Sequence, residues 1–313
     1  MKKIITFGSI NMDLSIQTNR IPNNGETIYG SDFFLSPGGK GANQTVAAAK
    51  SGAQTYMIGG LGDDVYGIQL LNTLKGYCVN CNYIESFPNT TSGVAVIIRS
   101  KGDNRIILNG GANHLLDHRH IDPVLANIAS PGDIFLTQFE NDYDTILYAL
   151  AKAKDKELWT IFNPAPANEI PDTIYPKIKL LIINQWECKF LSGIYPTKES
   201  DYKQAITFFQ QKGVHSILIT LGSEGSVFGN KSTYMFIPSI SVQSVDTTAA
   251  GDTYIGALAY SLSCNHSIKT SMEYATMAAA LTVSKQGAQE SIPTKQEVEN
   301  FKLELYQGGN QHE

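Results

Sequence analysis

Leu180-Leu181-Ile182-Ile183 is four apolar residues in a row, and Ser216-Ile217-Leu218-Ile219-Thr220-Leu221 is nearly as unbroken. A strand with one face in water alternates apolar and polar residues, whereas a strand covered on both faces does not. Such runs therefore predict a parallel sheet lying between layers of helix. Working outward, Ile4–Phe7, Thr55–Ile58, Ile134–Thr137 and Trp159–Phe162 share the character. Helical stretches separate them: Asn43–Lys50, Tyr66–Lys75, Asp142–Lys154, Tyr202–Lys212, Asp252–Ser263 and Ser271–Lys285. Alternation of this kind reads as an α/β fold, a doubly wound, mainly parallel sheet flanked by helices.

Two regions break the alternation. Leu14–Gln17 with Thr27–Leu35, and Gly93–Ile98 with Arg105–Leu108, read as short antiparallel ribbons with no helix between their members. Lys101-Gly102-Asp103-Asn104 has the composition of a hairpin turn. A small antiparallel β lid, inserted at about 14–36 and 93–110 into a single domain spanning 1–313, accounts for both. The polar, Gly-containing tail Gln307–Glu313 is expected to fray.

The composition narrows the function classes. A chain of 313 residues with 42% hydrophobic and 17% charged residues can bury a large core, which excludes disorder and coiled coil. A net charge of −5 without a run of Lys or Arg argues against a nucleic-acid or anionic-membrane partner, since both demand a basic footprint. Gly8, Ser9, Asn11 and Asp13 interrupt the first apolar stretch too early for a signal peptide, so the chain is expected to be cytoplasmic. Cys78 and Cys81 form a C-x-x-C, but Cys188 and Cys264 are solitary and supply no second zinc pair. His114, His118 and His120 lie with Asp117 and Arg119 in a polar stretch that suits a solvated helix start.

In open α/β sheets ligands bind beyond the carboxyl ends of the strands. Asn11 and Asp13 follow the first strand, Glu140 follows Ile134–Thr137, and Asn184 and Glu187 follow Leu180–Ile183. The glycines fit neither common phosphate fingerprint. Gly60-Leu61-Gly62-Asp63-Asp64-Val65 lacks the last Gly of G-x-G-x-x-G, and Pro37-Gly38-Gly39-Lys40-Gly41-Ala42-Asn43 is not a Walker A loop. Asp246-Thr247-Thr248-Ala249-Ala250-Gly251-Asp252-Thr253 is more telling, because small residues immediately before a helix leave its first N–H groups exposed as an anion site. Asp252 sits inside that site. A carboxylate there suits taking a proton from an attacking hydroxyl, and it also suits capping the helix. Position in the sequence does not separate the two.

Gly38-Gly39-Lys40-Gly41-Ala42-Asn43-Gln44 and Asp246–Thr253, together with Asn163-Pro164-Ala165-Pro166-Ala167, Thr220-Leu221-Gly222-Ser223 and Gly287–Pro293, resemble the ribokinase family of carbohydrate kinases, also called PfkB. The resemblance runs from about Ile4 to Pro293. It implies ATP-dependent phosphorylation of the 5-hydroxyl of D-ribose, with Asp252 as general base and Ala249, Ala250 and Gly251 as the anion hole. Asn11, Asp13, Gly39, Lys40, Gly41, Asn43 and Glu140 match the sugar-contacting positions. Asn184, Thr220, Gly222, Ser223, Gly225, Gly251 and Thr276 match positions around the nucleotide. Asn184 with Glu187 matches an N-x-x-E motif linked to Mg²⁺. An activating K⁺ maps onto Asp246, Thr248, Thr282, Lys285, Gly287 and Ser291, mostly through backbone carbonyls. The inserted ribbons match the family's lid, which pairs two subunits into a homodimer. Gln185-Trp186-Glu187-Cys188 departs from the more acidic stretch usual at that place. A kinase for 2-deoxyribose or pseudouridine is the alternative of the same class. A non-catalytic sugar sensor is the alternative of another, and its sign, loss of Asp252 or a filled Gly251, is not present.

Overall fold

The computed structural model describes residues 1–100 and 103–309. In chain order its elements begin with β1 (Ile4–Phe7), β2 (Asn11–Thr18), β3 (Ser31–Gly38), α1 (Lys40–Lys50), β4 (Thr55–Gly62) and α2 (Val65–Gly76). β5 (Asn80–Phe87), β6 (Gly93–Ser100), β7 (Asp103–Asn109), α3 (His118–Asn127), β8 (Ile134–Gln138), α4 (Tyr143–Asp155) and β9 (Trp159–Asn163) follow. The remainder is β10 (Leu180–Asn184), α5 (Gln185–Ser192), α6 (Glu199–Gln211), β11 (Ser216–Thr220), β12 (Gly225–Asn230), β13 (Tyr234–Pro238), α7 (Ala250–Ser263), α8 (Ile268–Val283) and α9 (Lys295–Gly309).

Nine strands form one sheet in the order β13-β12-β11-β10-β9-β8-β1-β4-β5. Every pairing from β11 to β5 is parallel, and β12 and β13 close one edge antiparallel. The strand residues alternate between two apolar layers. Ile5, Phe7, Phe135, Phe162 and Leu181 pack with Ile146 and Leu150 of α4 and Phe209 of α6. Ile4, Leu136, Ile161 and Ile182 pack on the opposite side with Leu258 of α7 and Met272 of α8. Both faces are thus buried, which is why the strands carry no polar alternation. Among the described residues, no helix is long and apolar enough to cross a membrane.

The second sheet has the order β3-β2-β6-β7. β2–β3 and β6–β7 are the two expected antiparallel pairs, and a parallel β2–β6 pairing joins them. Several boundaries differ from the sequence reading. Asn11 and Asp13 lie within β2 rather than in a loop after the first strand, because the chain passes directly from one sheet to the other. α1 starts at Lys40, not Asn43, so the Gly-rich string supplies the first turn of the helix as well as the approach to it. Gln307–Gly309 continue α9 instead of fraying. Of the anticipated hairpin turn, Asp103 and Asn104 belong to β7, and Lys101 and Gly102 lie outside the described residues, as do residues 310–313. His120 completes a capping box with Asp117 at the start of α3, so it serves a helix end as expected. Among the described residues no group of three or more His, Cys, Asp or Glu is placed to hold a metal ion.

Candidate active site

The carboxyl ends of β1, β8, β9, β10 and β11 open toward the starts of α1, α5 and α7. Close approach of backbone makes this convergence possible. A Cβ on Gly41 would stand 2.6 Å from the backbone of Gly8, so α1 can begin against the end of β1 only with glycine there. A Cβ on Gly256 would stand 2.2 Å from the Gln44 carbonyl, so α7 lies tightly along α1. This contact brings Asn43 and Gln44 of α1 against Asp252 of α7.

Asp252 is nearly buried, with 9% of its surface exposed, and each carboxylate oxygen accepts one amide N–H. Asn43 Nδ2 donates to Oδ2 at 3.1 Å, and Gln44 Nε2 donates to Oδ1 at 2.9 Å. The residue at the N-cap of α7 is Ala249, in the left-handed region at φ 60°, and no side chain caps the helix. The capping reading of Asp252 is therefore excluded. Of the expected anion hole, Ala250 N–H turns back to the Thr247 carbonyl at 3.2 Å. Gly251 faces open space, with nothing within 4 Å of where a Cβ would stand.

A cavity of about 240 Å³ brings Lys40, Asn184, Glu187 and Thr220 together with Ala249–Asp252. Asn184 and Glu187 form a complete capping box at the start of α5. Glu187 N–H donates to Asn184 Oδ1 at 2.8 Å, and Asn184 N–H donates to Glu187 Oε2 at 2.9 Å. Burial pushes the Glu187 carboxyl above its ordinary range, with Asp252 adding and the Asn184 N–H and Lys40 opposing. Lys40 faces Asp252, Glu140, Glu187 and Asp13. Burial alone would lower its pKa, and the four carboxylates outweigh burial and hold it above the ordinary lysine value.

On the lid side, Asp13 joins Ser15 and Phe34 in lining a second cavity of about 390 Å³, whose far wall is Asp246–Thr248 and Gly287. Burial lifts the Asp13 carboxyl to about 7, with the charges of Glu140 and Asp252 adding and Lys40 opposing. Glu140 Oε2 accepts from Ser9 Oγ at 2.5 Å and from Lys40 N–H at 3.1 Å, which fixes it beside the first turn of α1. Gly39 precedes that turn at φ 90°. Asn11 is held by Asn113, whose Nδ2 donates to its Oδ1 at 2.8 Å.

Asp246 ties the α7 turn to the loop after α8. Its Oδ1 accepts from Thr248 N–H at 2.9 Å and its Oδ2 from Gly287 N–H at 3.1 Å. The side chains of Thr282, Lys285 and Ser291 are turned to Thr253, Glu297 and the Ala288 carbonyl, and the Thr282 carbonyl accepts from Lys285 N–H at 3.1 Å. Gly222 and Ser223 form a short 3-10 turn between Thr220 and Gly225. Thr276 is not drawn into either cavity. It lines a separate groove with Ile237, Pro238 and Met277, and donates its hydroxyl to the Met272 carbonyl. The sequence reading missed the amides of Gln44, Gln138 and Gln289 as members of the site, although Gln44 and Gln289 both stand inside quoted motifs.

The chain matches the family described as pfkB family carbohydrate kinase over residues 1–295. The protein belongs to that family. It is 36% identical over 301 residues to the ribokinase of Bacillus subtilis (strain 168), which covers 96% of this chain and 99% of the relative. It is 30% identical over 300 residues to the deoxyribokinase of Salmonella typhi, covering 95% and 98% respectively. Among solved structures, Arabidopsis thaliana ribokinase complexed with ribose and ATP superposes with a TM-score of 0.87 at 30% identity, covering 96% of this chain and 98% of that one. The pfkB assignment makes the protein a carbohydrate kinase and the cleft between the sheets its candidate catalytic centre.

Proposed function

We propose that this carbohydrate kinase is a ribokinase, transferring the γ-phosphoryl group of ATP to the 5-hydroxyl of D-ribose. The observation that carries the reading is the Asp252 carboxylate, which stands at the uncapped start of α7 and is held by amides rather than by its own helix. Asp252 accepts the hydroxyl proton as the sugar oxygen attacks phosphorus in line, and ADP departs with the electrons of the broken P–O bond. The helix dipole and the N–H groups around Gly251 stabilise charge on the transferring group. Asp13 and Asn43 suit adjacent sugar hydroxyls, since a carboxylate can accept from two at once. Lys40 and Glu140 close the same wall, with Gly39 and Gly41 allowing the approach. The nucleotide runs over Asn184 and the Thr220–Gly225 turn toward Thr276.

Mg²⁺ would travel on the ATP phosphates and neutralise their charge, and Asn184 and Glu187, which line the same cavity as the start of α7, would meet it. K⁺ fits the Asp246 turn, where carbonyls of Thr248, Thr282, Lys285, Gly287 and Ser291 would hold it and it would stiffen the anion site. Exchange of K⁺ for Na⁺ or tetramethylammonium should lower turnover, and equal rates in all three salts count against the site. Phe33, Ile106, Ile107 and Leu108 expose apolar surface on the lid. We assign that face to a homodimer, which light scattering at micromolar concentration checks. Four free cysteines and an ATP substrate fit a cytoplasmic setting.

The deciding experiment incubates the protein with ATP and Mg²⁺ beside D-ribose, 2-deoxyribose and pseudouridine, and identifies the products. Ribose 5-phosphate as the preferred product is expected. Preference for 2-deoxyribose, the sugar named for the Salmonella typhi relative, would move the assignment to that neighbour.

A further inference from the structure

Asp252 is not held by one neighbour but stands at the meeting of two chains of buried amides. In the first, Gln138 Nε2 donates to Gln44 Oε1 at 2.6 Å. Gln44 Nε2 then donates to Asp252 Oδ1 at 2.9 Å and to Asn163 Oδ1 at 3.3 Å. Asn163 in turn donates its Nδ2 to the Ile182 carbonyl at 3.0 Å. In the second, Gln289 Nε2 donates to Asn43 Oδ1 at 3.2 Å, and Asn43 Nδ2 reaches Asp252 Oδ2. Gln44 and Gln138 are fully buried, so their side chains make no contact with water.

A carboxamide has a donor end and an acceptor end, and the two exchange places when it rotates by half a turn. Gln44 can present N–H to Asp252 only while its oxygen faces a donor. Gln138 is that donor. Burying Gln138, Gln44 and Asn163 in one chain costs free energy, the more so because Gln138 Oε1 has no hydrogen-bond partner, so the arrangement is a costly way merely to fill space. What it achieves is a fixed plane for the Asp252 carboxylate, with one lone pair of each oxygen occupied and the other free. The donors are neutral, so they orient the carboxylate without adding a positive charge that would weaken it as a base.

We propose that Gln44 is a positioning residue for Asp252 and that Gln138, which does not touch Asp252, sets the direction in which the Gln44 amide points. This inference rests on Asp252 being the general base. Three variants test it, with turnover, both KM values and melting temperature measured for each.

Gln44→Glu keeps the size and still accepts from Gln138, but it places an acceptor against Asp252. Turnover is expected to fall about 10–100-fold with KM for sugar and ATP nearly unchanged. The acid limb of the pH–turnover profile should move up by roughly one pH unit, since adjacent carboxylates hinder each other's ionisation. Gln138→Glu converts the donor to an acceptor, so the Gln44 amide must rotate and turn its oxygen on Asp252. The same loss of turnover at unchanged KM is expected, from a position remote from the reacting atoms. Gln138→Leu removes the lock without reversing it, and a loss of only about 2–5-fold is expected because half of the rotamer population still donates.

Asp252→Asn runs alongside. If it keeps activity, the base reading fails and the positioning inference fails with it. If Asp252→Asn is inactive while Gln44→Glu and Gln138→Glu turn over like the original protein, the positioning inference alone is overturned. Equal losses in Gln138→Glu and Gln138→Leu, tracking melting temperature rather than the sign of the hydrogen bond, would also overturn it. Should Gln44→Glu not fold, the contrast between the two Gln138 variants decides by itself.

Discussion

The cleft has two halves that work by opposite means. The half we assign to the sugar, built on β2 and the first turn of α1, is a crowd of side chains: Asp13, Glu140, Asn43 and Lys40, with Asp252 at its edge. Burial, with the charges of Glu140 and Asp252 adding to it, lifts the Asp13 carboxyl to about 7. The half we assign to phosphate, built on the starts of α5 and α7, offers mainly backbone. At α7 nothing caps the helix, and at α5 the Asn184–Glu187 box satisfies the helix end internally. A hydroxylated substrate needs directional acceptors, whereas a phosphate needs diffuse positive potential, and the two halves divide along that line. Specificity and pH dependence should therefore reside in the sugar half, and tolerance of side-chain change in the phosphate half.

The seam between them gives the largest expected effect. Asp252→Asn keeps the shape but cannot accept a proton, and turnover should fall by ~10²–10⁴-fold, the usual worth of a general base. The structure adds a second consequence. The new amide must point one N–H₂ group at the donor of Asn43 or Gln44, so a stability loss of about 1–3 kcal/mol is expected as well. Nucleotide affinity, which on the proposed reading depends on the N–H groups of α7, should barely move. Turnover above about a tenth of the original, against the ~10²-fold minimum expected of a lost base, would erase the seam.

Asp13 tests the sugar half. Its ordinary value of 3.8 is lifted to about 7 in the fold, so the unfolded chain loses that proton first as pH rises. Between pH 4 and 7 the folded state binds more protons than the unfolded state, so this group makes stability fall with rising pH. The loss amounts to about 4 kcal/mol once both states are ionised. Asp13→Asn removes the penalty: its melting temperature should exceed the original at pH 8 and match it near pH 4. The original protein should lose sugar affinity below pH 7 as Asp13 protonates, whereas the variant binds sugar weakly at every pH. Parallel melting curves across pH for the two proteins would contradict the assignment of this carboxyl as the pH-sensitive element.

Much of the division was legible in the sequence, and its failures have physical causes. Continuous apolar runs such as Leu180–Ile183 revealed doubly buried strands because burial on both faces leaves no room for alternation. The edge strands β12 and β13 were missed because Gly225-Ser226-Val227-Phe228-Gly229-Asn230 mixes glycines into the pattern and Tyr234–Pro238 is only half covered. α9 was missed although Thr294-x-x-Glu297 is a capping signal, with Thr294 N–H donating to Glu297 Oε2 at 2.7 Å. The amide chain could not be read at all. Gln44 and Gln138 are 94 positions apart, and the register of β1 with β8 sets the end of β8 beside the end of β1, against which α1 begins.

The smallest expected effect tests the phosphate half at α5, where one motif carries two readings. As a capping box, Asn184 and Glu187 stabilise a helix end; as N-x-x-E, they meet Mg²⁺. Asn184→Ala removes the acceptor for the Glu187 N–H and should cost about 0.5–2 kcal/mol of stability. Glu187→Gln separates the readings through its Mg²⁺ dependence, because glutamine keeps the acceptor for Asn184 N–H but brings no charge. Its N–H₂ must face Asn184 Nδ2, which donates to Glu187 Oε1 at 3.0 Å, so a modest fall in melting temperature is expected on either reading. A capping role alone leaves the Mg²⁺ dependence of Glu187→Gln unchanged. A role toward the metal raises the Mg²⁺ concentration for half-maximal turnover as well, by about tenfold if the carboxylate acts from the outer shell. We expect the second outcome, with the maximal rate at saturating Mg²⁺ restored to within a few-fold. A loss of turnover that saturating Mg²⁺ does not repair, as deep as that of Asp252→Asn, would mean the side chain takes part in the transfer itself, and the division of labour between the halves would fall.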